Sequence, residues 1–185
     1  MLQSHGDYPQ LDTPRLLLRG FRDDDLAFMQ VFALRPALWR YLPGPEPTAE
    51  LVAAYHEARL QAQALGQSGD WHFAVEQRDS GCMIGTARLS IQSREHNNGS
   101  VAVSLDSDTW RQGLGREALA ALVGFGFAEL GLHRLSALVD VENIASQHIA
   151  EACGFAREGL LRQNFNLRGQ WRDSVLYGLL NPARD

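Results

Sequence analysis

Val101-Ala102-Val103-Ser104-Leu105 leads through Asp106-Ser107-Asp108-Thr109 into Trp110-Arg111-Gln112-Gly113-Leu114-Gly115-Arg116, and from there into an alanine- and leucine-rich stretch. The apolar run reads as a strand, the glycine pair as a loop and the rest as a helix. Ala118, Leu119, Leu122, Phe125 and Leu130 give that helix an apolar face, and Gly131 supplies a stop. Two glycines directly before a helix leave the first-turn N–H groups unhindered. The helix dipole favours negative charge there, so the junction suits an anion such as a pyrophosphate. Gly124 and Gly126 each lower helix propensity by about 1 kcal/mol relative to alanine, which predicts close packing of that stretch against a neighbouring backbone.

Working outward, residues 71–76 and 83–91 read as strands around a turn at Asp79-Ser80-Gly81, and residues 101–105 follow a turn at Asn97-Asn98-Gly99. Three consecutive strands of this kind form an antiparallel meander. Upstream, residues 15–19 form a short strand, and Asp23-Asp24-Asp25 caps a helix carrying Leu26, Phe28, Met29, Phe32 and Ala33. Pro36 and Pro43-Gly44-Pro45-Glu46-Pro47 break the chain, and Thr48 opens a second helix through Leu51, Val52, Tyr55, Ala58, Leu60 and Leu65. This early helix pair forms one wall of a cleft, where Trp39, Tyr41 and Tyr55 either line an acceptor site or pack in the core. Downstream, residues 134–139 form a strand, residues 143–153 a helix, and Gly154-Phe155 turns into the last strands, ending at residues 174–180. The alternation of strand and helix requires at least one parallel crossover, so the class is mixed α/β (α+β).

At 185 residues and 45% hydrophobic content the chain fits a single domain spanning residues 1–185, with residues 1–10 as a flexible terminus. A net charge of −5, with 17 basic residues scattered among 22 acidic ones, excludes a broad nucleic-acid footprint and suits a basic peptide or amine partner. Cys82 and Cys153 lack metal-ligand spacing and read as small buried apolar residues in a reducing compartment. His72, His133 and His148 have no spacing that makes a metal site, so structural roles are expected for them. With no signal pattern and no membrane-length apolar run, a cytoplasmic protein without membrane contact is expected.

Gly113-x-Gly115-x-x-Ala118 also fits a dinucleotide-binding fingerprint, with Asp140 at the end of the next strand as the ribose-binding acid. Against that reading, seven residues separate Leu105 from Gly113, and three antiparallel strands precede the motif. A purely geometric turn is the third reading of the same glycines.

The surrounding residues resemble the GNAT N-acetyltransferase superfamily, in particular its ribosomal-protein N-terminal acetyltransferase branch, RimJ and RimL. The resemblance rests on Leu11-Asp12-Thr13-Pro14-Arg15-Leu16-Leu17-Leu18-Arg19, Ile84-Gly85, residues 110–115, and Leu132-His133-Arg134-Leu135. It continues through Asn143-Ile144-Ala145-Ser146, Cys153-Gly154-Phe155, Glu158-Gly159, Asp173 and Tyr177. It implies a mainly antiparallel mixed sheet of about seven strands, flanked by helices, whose fourth and fifth strands splay apart to admit acetyl-CoA as co-substrate, with no metal. Carried onto this chain, the amides of Gln112, Gly113, Leu114, Gly115 and Arg116 hold the pyrophosphate, and backbone groups of Val103, Ser104 and Leu105 pair with the pantetheine arm. The Leu105 amide is placed to stabilise the developing oxyanion, which needs only backbone geometry. Trp110 stands where the family more often has Arg or Gln.

By the same resemblance Asn143 contacts the pantetheine and Ser146 protonates the departing thiolate. Three residues apart they share one helix face, and both are equally good helix caps. The strand glutamate that serves many relatives as general base is Ser100 here. Glu95, His96, Glu158, Asp173 or water remain as candidates, with Tyr177 a further residue that either anchors the sheet or shapes the acceptor pocket. At pH 7 about a tenth of an α-amine is neutral, against roughly 0.04% of a lysine, which favours an α-amine acceptor such as the N-terminus of a ribosomal protein. A small-molecule amine, a CoA-binding module with little catalysis, and a homodimer are the other readings carried forward.

Overall fold

The computed structural model describes residues 8–42, 44, 47–66 and 69–183. Its strands are β1 (Leu11–Asp12), β2 (Leu16–Arg19), β3 (Asp70–Gln77), β4 (Cys82–Ser93), β5 (Asn98–Leu105), β6 (Arg134–Asp140), β7 (Ala156–Leu167) and β8 (Gln170–Leu180). The helices are α1 (Asp25–Ala33), α2 (Pro36–Trp39), α3 (Ala49–Ala64), α4 (Leu114–Gly124) and α5 (Ile144–Ala152). The eight strands lie in the order β1-β2-β3-β4-β5-β6-β8-β7, and only β5 and β6 are parallel. The expected seven-strand count misses β1, whose two residues are too few to display alternation. The strands expected as fourth and fifth are therefore the fifth and sixth.

Alternation along each strand sorts the side chains between two layers. Trp71, Phe73, Leu89, Val101, Leu105, Leu135, Val139 and Tyr177 belong to the larger core with Leu114, Ala118, Leu119, Leu122 and Ala150 of α4 and α5. Ala74 and Met83 join Phe21, Met29, Phe32 and Val52 in a smaller core beneath α1 and α3. The sheet thus has a face with α4 and α5 and a face with α1 and α3. Gly85 sits where a Cβ would stand 2.2 Å from the Ser104 carbonyl oxygen, so only glycine admits this approach of β4 to β5.

Thr48 caps α3 as its sequence indicates, accepting from the Leu51 amide at 3.2 Å. The aspartates before α1 behave differently. Asp24 makes no side-chain cap, and Asp25 turns inward to accept from the Arg22 amide and from both terminal nitrogens of Arg19. Arg19 also reaches Glu76 at 2.6 Å, and both Arg19 and Asp25 are 4% exposed. This buried network bolts α1 to β2 and β3.

Other expectations are corrected. Cys82 is exposed and Cys153 half-buried, because Cys82 opens β4 directly after its turn. Gly126 packs against the side chains of Leu89 and Leu135 rather than a backbone, and Gly124 has open space around it. The helix passes into a π-turn over Phe125–Glu129 just after Gly124. Asn98 and Gly99 already belong to β5, leaving Asn97, at φ 48°, in the turn. Of the terminus expected to be flexible, residues 1–7 lie outside the described residues, whereas Tyr8 is docked. Its ring stands edge-on to Phe73, and its hydroxyl accepts from the His72 amide at 2.7 Å. Pro43, Pro45 and Glu46 of the proline-rich segment also lie outside the described residues. Among the described residues no helix is long and apolar enough to cross a membrane.

Removing one member of a buried ion network leaves the others uncompensated, at a cost of about 3–5 kcal/mol. Arg19→Ala is expected to lower the unfolding free energy by that amount, read as a lower urea midpoint, and an unchanged midpoint would show that the network does not hold α1.

Candidate active site

The ladder between β5 and β6 covers only Asn98, Gly99 and Ser100 against Arg134, Leu135 and Ser136. Beyond it β5 continues to pair with β4, and β6 with β8, so a gap opens between them. Asn97 O accepts from the His133 amide and Gly99 O from the Ser136 hydroxyl, so odd-numbered positions turn their backbone toward β6. Antiparallel alternation continues that orientation, and Val101, Val103 and Leu105 face the gap. Ser104 does not. Its carbonyl points at Gly85 in β4, and the next even position, Asp106, donates to Ile84 O at 2.8 Å. Ser104 therefore offers the gap no backbone group, and the expectation of three pairing residues reduces to Val103 and Leu105.

At the gap-side end of β5 the chain forms the glycine loop. The Trp110 indole donates to Leu105 O at 2.8 Å and pins the loop to the strand end. Arg111 and Gly113 are left-handed, at φ 62° and 79°, and Gly113 is the N-cap of α4. The first intrahelical bond runs from the Glu117 amide to Gly113 O, so helix geometry leaves the amides of Leu114, Gly115 and Arg116 without an intrahelical acceptor. At Gly115 a Cβ would meet Ile149 Cδ1 at 3.1 Å, so the missing side chain lets α4 start close against α5.

Glu117, which the sequence reading passed over, locks this turn from behind. Its carboxylate accepts from the Thr13 hydroxyl at 2.6 Å, the Arg15 amide at 2.8 Å and Arg15 Nε at 2.7 Å. Arg15 also donates to Gln112 O at 2.9 Å. Burial pushes the Glu117 carboxyl up, but the bonds from Thr13 and Arg15 outweigh it and hold it below the usual glutamate range. The segment before β2 thus grips both the loop and the first turn of α4.

Across the gap, Asn143 caps α5 by accepting from the Ser146 amide at 3.2 Å. The half-buried Ser146 hydroxyl makes no hydrogen bond among the described residues. The helix is held from below by the buried Tyr177, which donates to Glu151 at 2.9 Å. Tyr177 therefore supports α5 rather than an acceptor pocket.

On the opposite face of β5 a cavity of about 170 Å³ lies between the sheet and the α1/α3 wall. Phe21, Met29, Tyr55 and Arg59 line it from one side; His72, Thr86, Arg88, Ala102 and Ser104 line it from the sheet. Of the aromatics proposed for such a wall, Tyr55 takes part, whereas the Trp39 indole donates to Ala33 O and Tyr41 lies beside Arg40. His72 was expected to be merely structural, yet it faces this cavity. Asp70 two residues earlier shares its strand face, a local signal available in the sequence, and the two side chains meet at 2.9 Å. Burial pushes the His72 imidazole down to about 4, against the pull of Asp70, so it is neutral at pH 7. Burial raises the Asp70 carboxyl, but bonds from Ser90, Arg88 and His72 prevail and hold it at about 2.

None of the side chains proposed as general base reaches the gap. Glu95 and His96 are exposed in the β4–β5 turn, and β5 carries the chain roughly 23 Å from there to Leu105 at 3.3 Å per residue. Glu158 pairs with Arg134 across β8, and Asp173 accepts from the Gln163 amide within the β7–β8 hairpin. Ser100 accepts from the Gln92 side chain. The ribose-acid role of the dinucleotide reading fails too. Asp140 is taken up by Arg172 and by the Glu142 amide, and its strand follows three antiparallel ones.

A family model described as an acetyltransferase (GNAT) domain matches residues 15–156. Among relatives, the uncharacterized N-acetyltransferase YoaA of Bacillus subtilis is 28% identical over 95% of this chain and 98% of that protein. Spermidine N(1)-acetyltransferase of Escherichia coli is 30% identical over 85% of this chain and 82% of that protein. The crystal structure of ribosomal-protein-S5-alanine acetyltransferase from Vibrio fischeri superposes with a TM-score of 0.84 at 22% identity, covering 96% of this chain and 100% of that one. This last likeness concerns the fold.

Two outcomes are expected from the site geometry. Glu117→Gln, which removes the charge opposite Arg15, is expected to raise the KM for acetyl-CoA by about 3–10-fold, as loss of a charge-assisted bond would; an unchanged KM would separate the grip from the loop. His72 takes up a proton at about 4 when folded and near 6.5 when unfolded. The unfolded state binds that proton first, so stability is complete above pH 6.5 and is lost as pH falls toward 4. His72→Gln is expected to flatten this limb in urea midpoints measured across the window, and a limb of unchanged slope would count against it.

Proposed function

Because this chain belongs to the GNAT acetyltransferase family and is an acetyl-CoA-dependent N-acetyltransferase, we propose that its acceptor is an α-amine, in the first instance the N-terminus of a protein such as a ribosomal protein. The observation that supports acetyl-CoA binding is the gap beyond Ser100, with gap-facing backbone on β5 and the glycine loop at its mouth.

The residues fit the co-substrate. The amides of Gln112, Gly113, Leu114, Gly115 and Arg116 hold its phosphates, in the field of the α4 dipole. The gap-facing backbone of Val103 and Leu105 pairs with the pantetheine arm, and Asn143 borders it from α5. Bound acetyl-CoA supplies an activated acyl carbon and a thiolate leaving group. The Leu105 N–H is the donor directed at charge developing on an acyl oxygen. The Ser146 hydroxyl, which makes no hydrogen bond among the described residues, is the proton source on α5. The acceptor enters from the other face of β5, through the cavity lined by Ala102 and Ser104.

The absence of a carboxylate base from the described walls of the gap supports an acceptor that is partly neutral at pH 7, as an α-amine is. Water carries its proton away. The likeness to a spermidine acetyltransferase favours a second reading, a small-molecule amine. The single-domain organisation belongs to the same proposal, as does a cytoplasmic location, which suits two free cysteines.

Thiol release from acetyl-CoA in the presence of N-terminal peptides, spermidine or buffer tests the assignment. Turnover with peptides is expected; turnover with spermidine alone would establish the second reading. A thiol with a pKa of about 8.5 leaves without much assistance, so Ser146→Ala is expected to lower kcat by about tenfold and no more, with KM for acetyl-CoA little changed.

A further inference from the structure

The acceptor-side cavity carries an imbalance of charge. Arg59 of α3 lines it, and among the described residues no carboxylate lies within ion-pair distance of its guanidinium. Its Nε is buried without a hydrogen-bond partner, while the group stacks 4.1 Å from the Tyr55 ring. A second guanidinium, Arg88, lines the same cavity and is matched by Asp70 at 2.8 Å. His72 adds no charge at neutral pH, and Ser104 and Thr86 add hydroxyl donors. With Asp70 counted behind Arg88, the site holds one cation in excess, together with a donor that has no partner among the described residues. The large majority of buried donors have a partner in a folded protein, and a guanidinium is satisfied best by a carboxylate or a similar planar anion.

Resting on the acetyl-transfer reading above, we propose that this cavity selects acceptors that carry a carboxylate within a few atoms of the reactive amine, and that Arg59 is the residue that recognises it. A cavity of about 170 Å³ suits one amino-acid residue rather than a longer chain. Two sources supply this chemistry: a free amino acid with its own carboxylate, and a peptide N-terminus with an acidic residue at the first or second position. A polyamine is disfavoured, because its ammonium groups would approach Arg59 and Arg88 at distances where like charges repel by about 1 kcal/mol or more. Next to an unpaired guanidinium a bound amine also loses its proton more readily, which suits a site without a carboxylate base.

The test compares thiol release for free aspartate and glutamate, for C-terminally amidated peptides Ser-Asp-Ala and Ser-Lys-Ala, and for spermidine. Calorimetric binding of N-acetylaspartate and of N-acetylated Ser-Asp-Ala amide is measured beside it. Preference for the acidic acceptors over their lysine or polyamine counterparts by at least about tenfold in kcat/KM is expected, and Arg59→Gln is expected to collapse that ratio toward unity. Arg59→Lys, which keeps the charge and loses the fork, is expected to restore part of it. Activity with the free amino acids or with the peptide alone identifies the source of the carboxylate. Spermidine or the lysine peptide as best acceptor, or a ratio untouched by Arg59→Gln in a folded variant, overturns the inference while leaving acetyl transfer intact. If no acceptor releases thiol, the transfer reading fails and binding decides: Arg59-dependent capture of either acetylated acid supports the carboxylate site, and its absence overturns it.

Discussion

β5 and β6 share a ladder of only three residue pairs before they part, and most of what this molecule offers a ligand follows from that divergence. A strand inside a sheet has its backbone groups paired on both sides. Here Val101, Val103 and Leu105 remain paired through their neighbours to β4 but turn their own backbone groups toward an open gap, except for the Leu105 carbonyl, which accepts from the Trp110 indole. Buried backbone groups need partners, so a groove of this kind is a template for an extended, amide-bearing chain. The pantetheine arm of the co-substrate is such a chain.

The groove is useful only if its two ends are rigid. At one end Trp110 ties the loop to the Leu105 carbonyl, while Arg15, Thr13 and Glu117 tie the loop and the first turn of α4 to the segment before β2. At the other, Asn143 caps α5 and Tyr177 supports that helix from the core. Gly115 lets the two helices start close together over Ile149. The free amides of α4 and the free hydroxyl of Ser146 are held by groups that do not themselves face the ligand. Strand alternation then divides the labour. Backbone of odd positions in β5 faces the gap, and side chains of even positions, Ala102 and Ser104, line the cavity on the α1/α3 face.

How much of this was legible in the sequence varied with the range of the interaction. The Thr48 cap, the glycine loop and the Asn143 cap each involve partners within four residues, and the local pattern announced them. The aspartates before α1 carried the same cap signature and misled, because Asp25 answers to Arg19, itself held by Glu76 of a third element. Glu117 looked like an ordinary first-turn acid, as its partners lie about a hundred residues earlier in the chain. His72 stood between these cases: the Asp70 spacing was visible, yet only packing of α3 against the sheet placed the pair beside a cavity. Ser104 was expected to pair with the pantetheine arm alongside Val103 and Leu105, yet its carbonyl points at Gly85 of β4, a direction a motif match does not give.

By itself the sequence determined the strand, loop and helix order, the likeness to an acetyltransferase fold, and the glycine turn that opens a helix at Gly113. These depend on periodicity, on backbone freedom at glycine and on helix ends, all of which act over a few residues. Tertiary structure alone decided that the β5–β6 ladder stops at Ser100, that Val103 and Leu105 rather than Ser104 face the gap, and that Arg59 stands without an ion-pair partner among the described residues. Those outcomes depend on strand register and on which distant charges meet. Neither is encoded in any short segment, because register and charge pairing are fixed only when separate elements pack together.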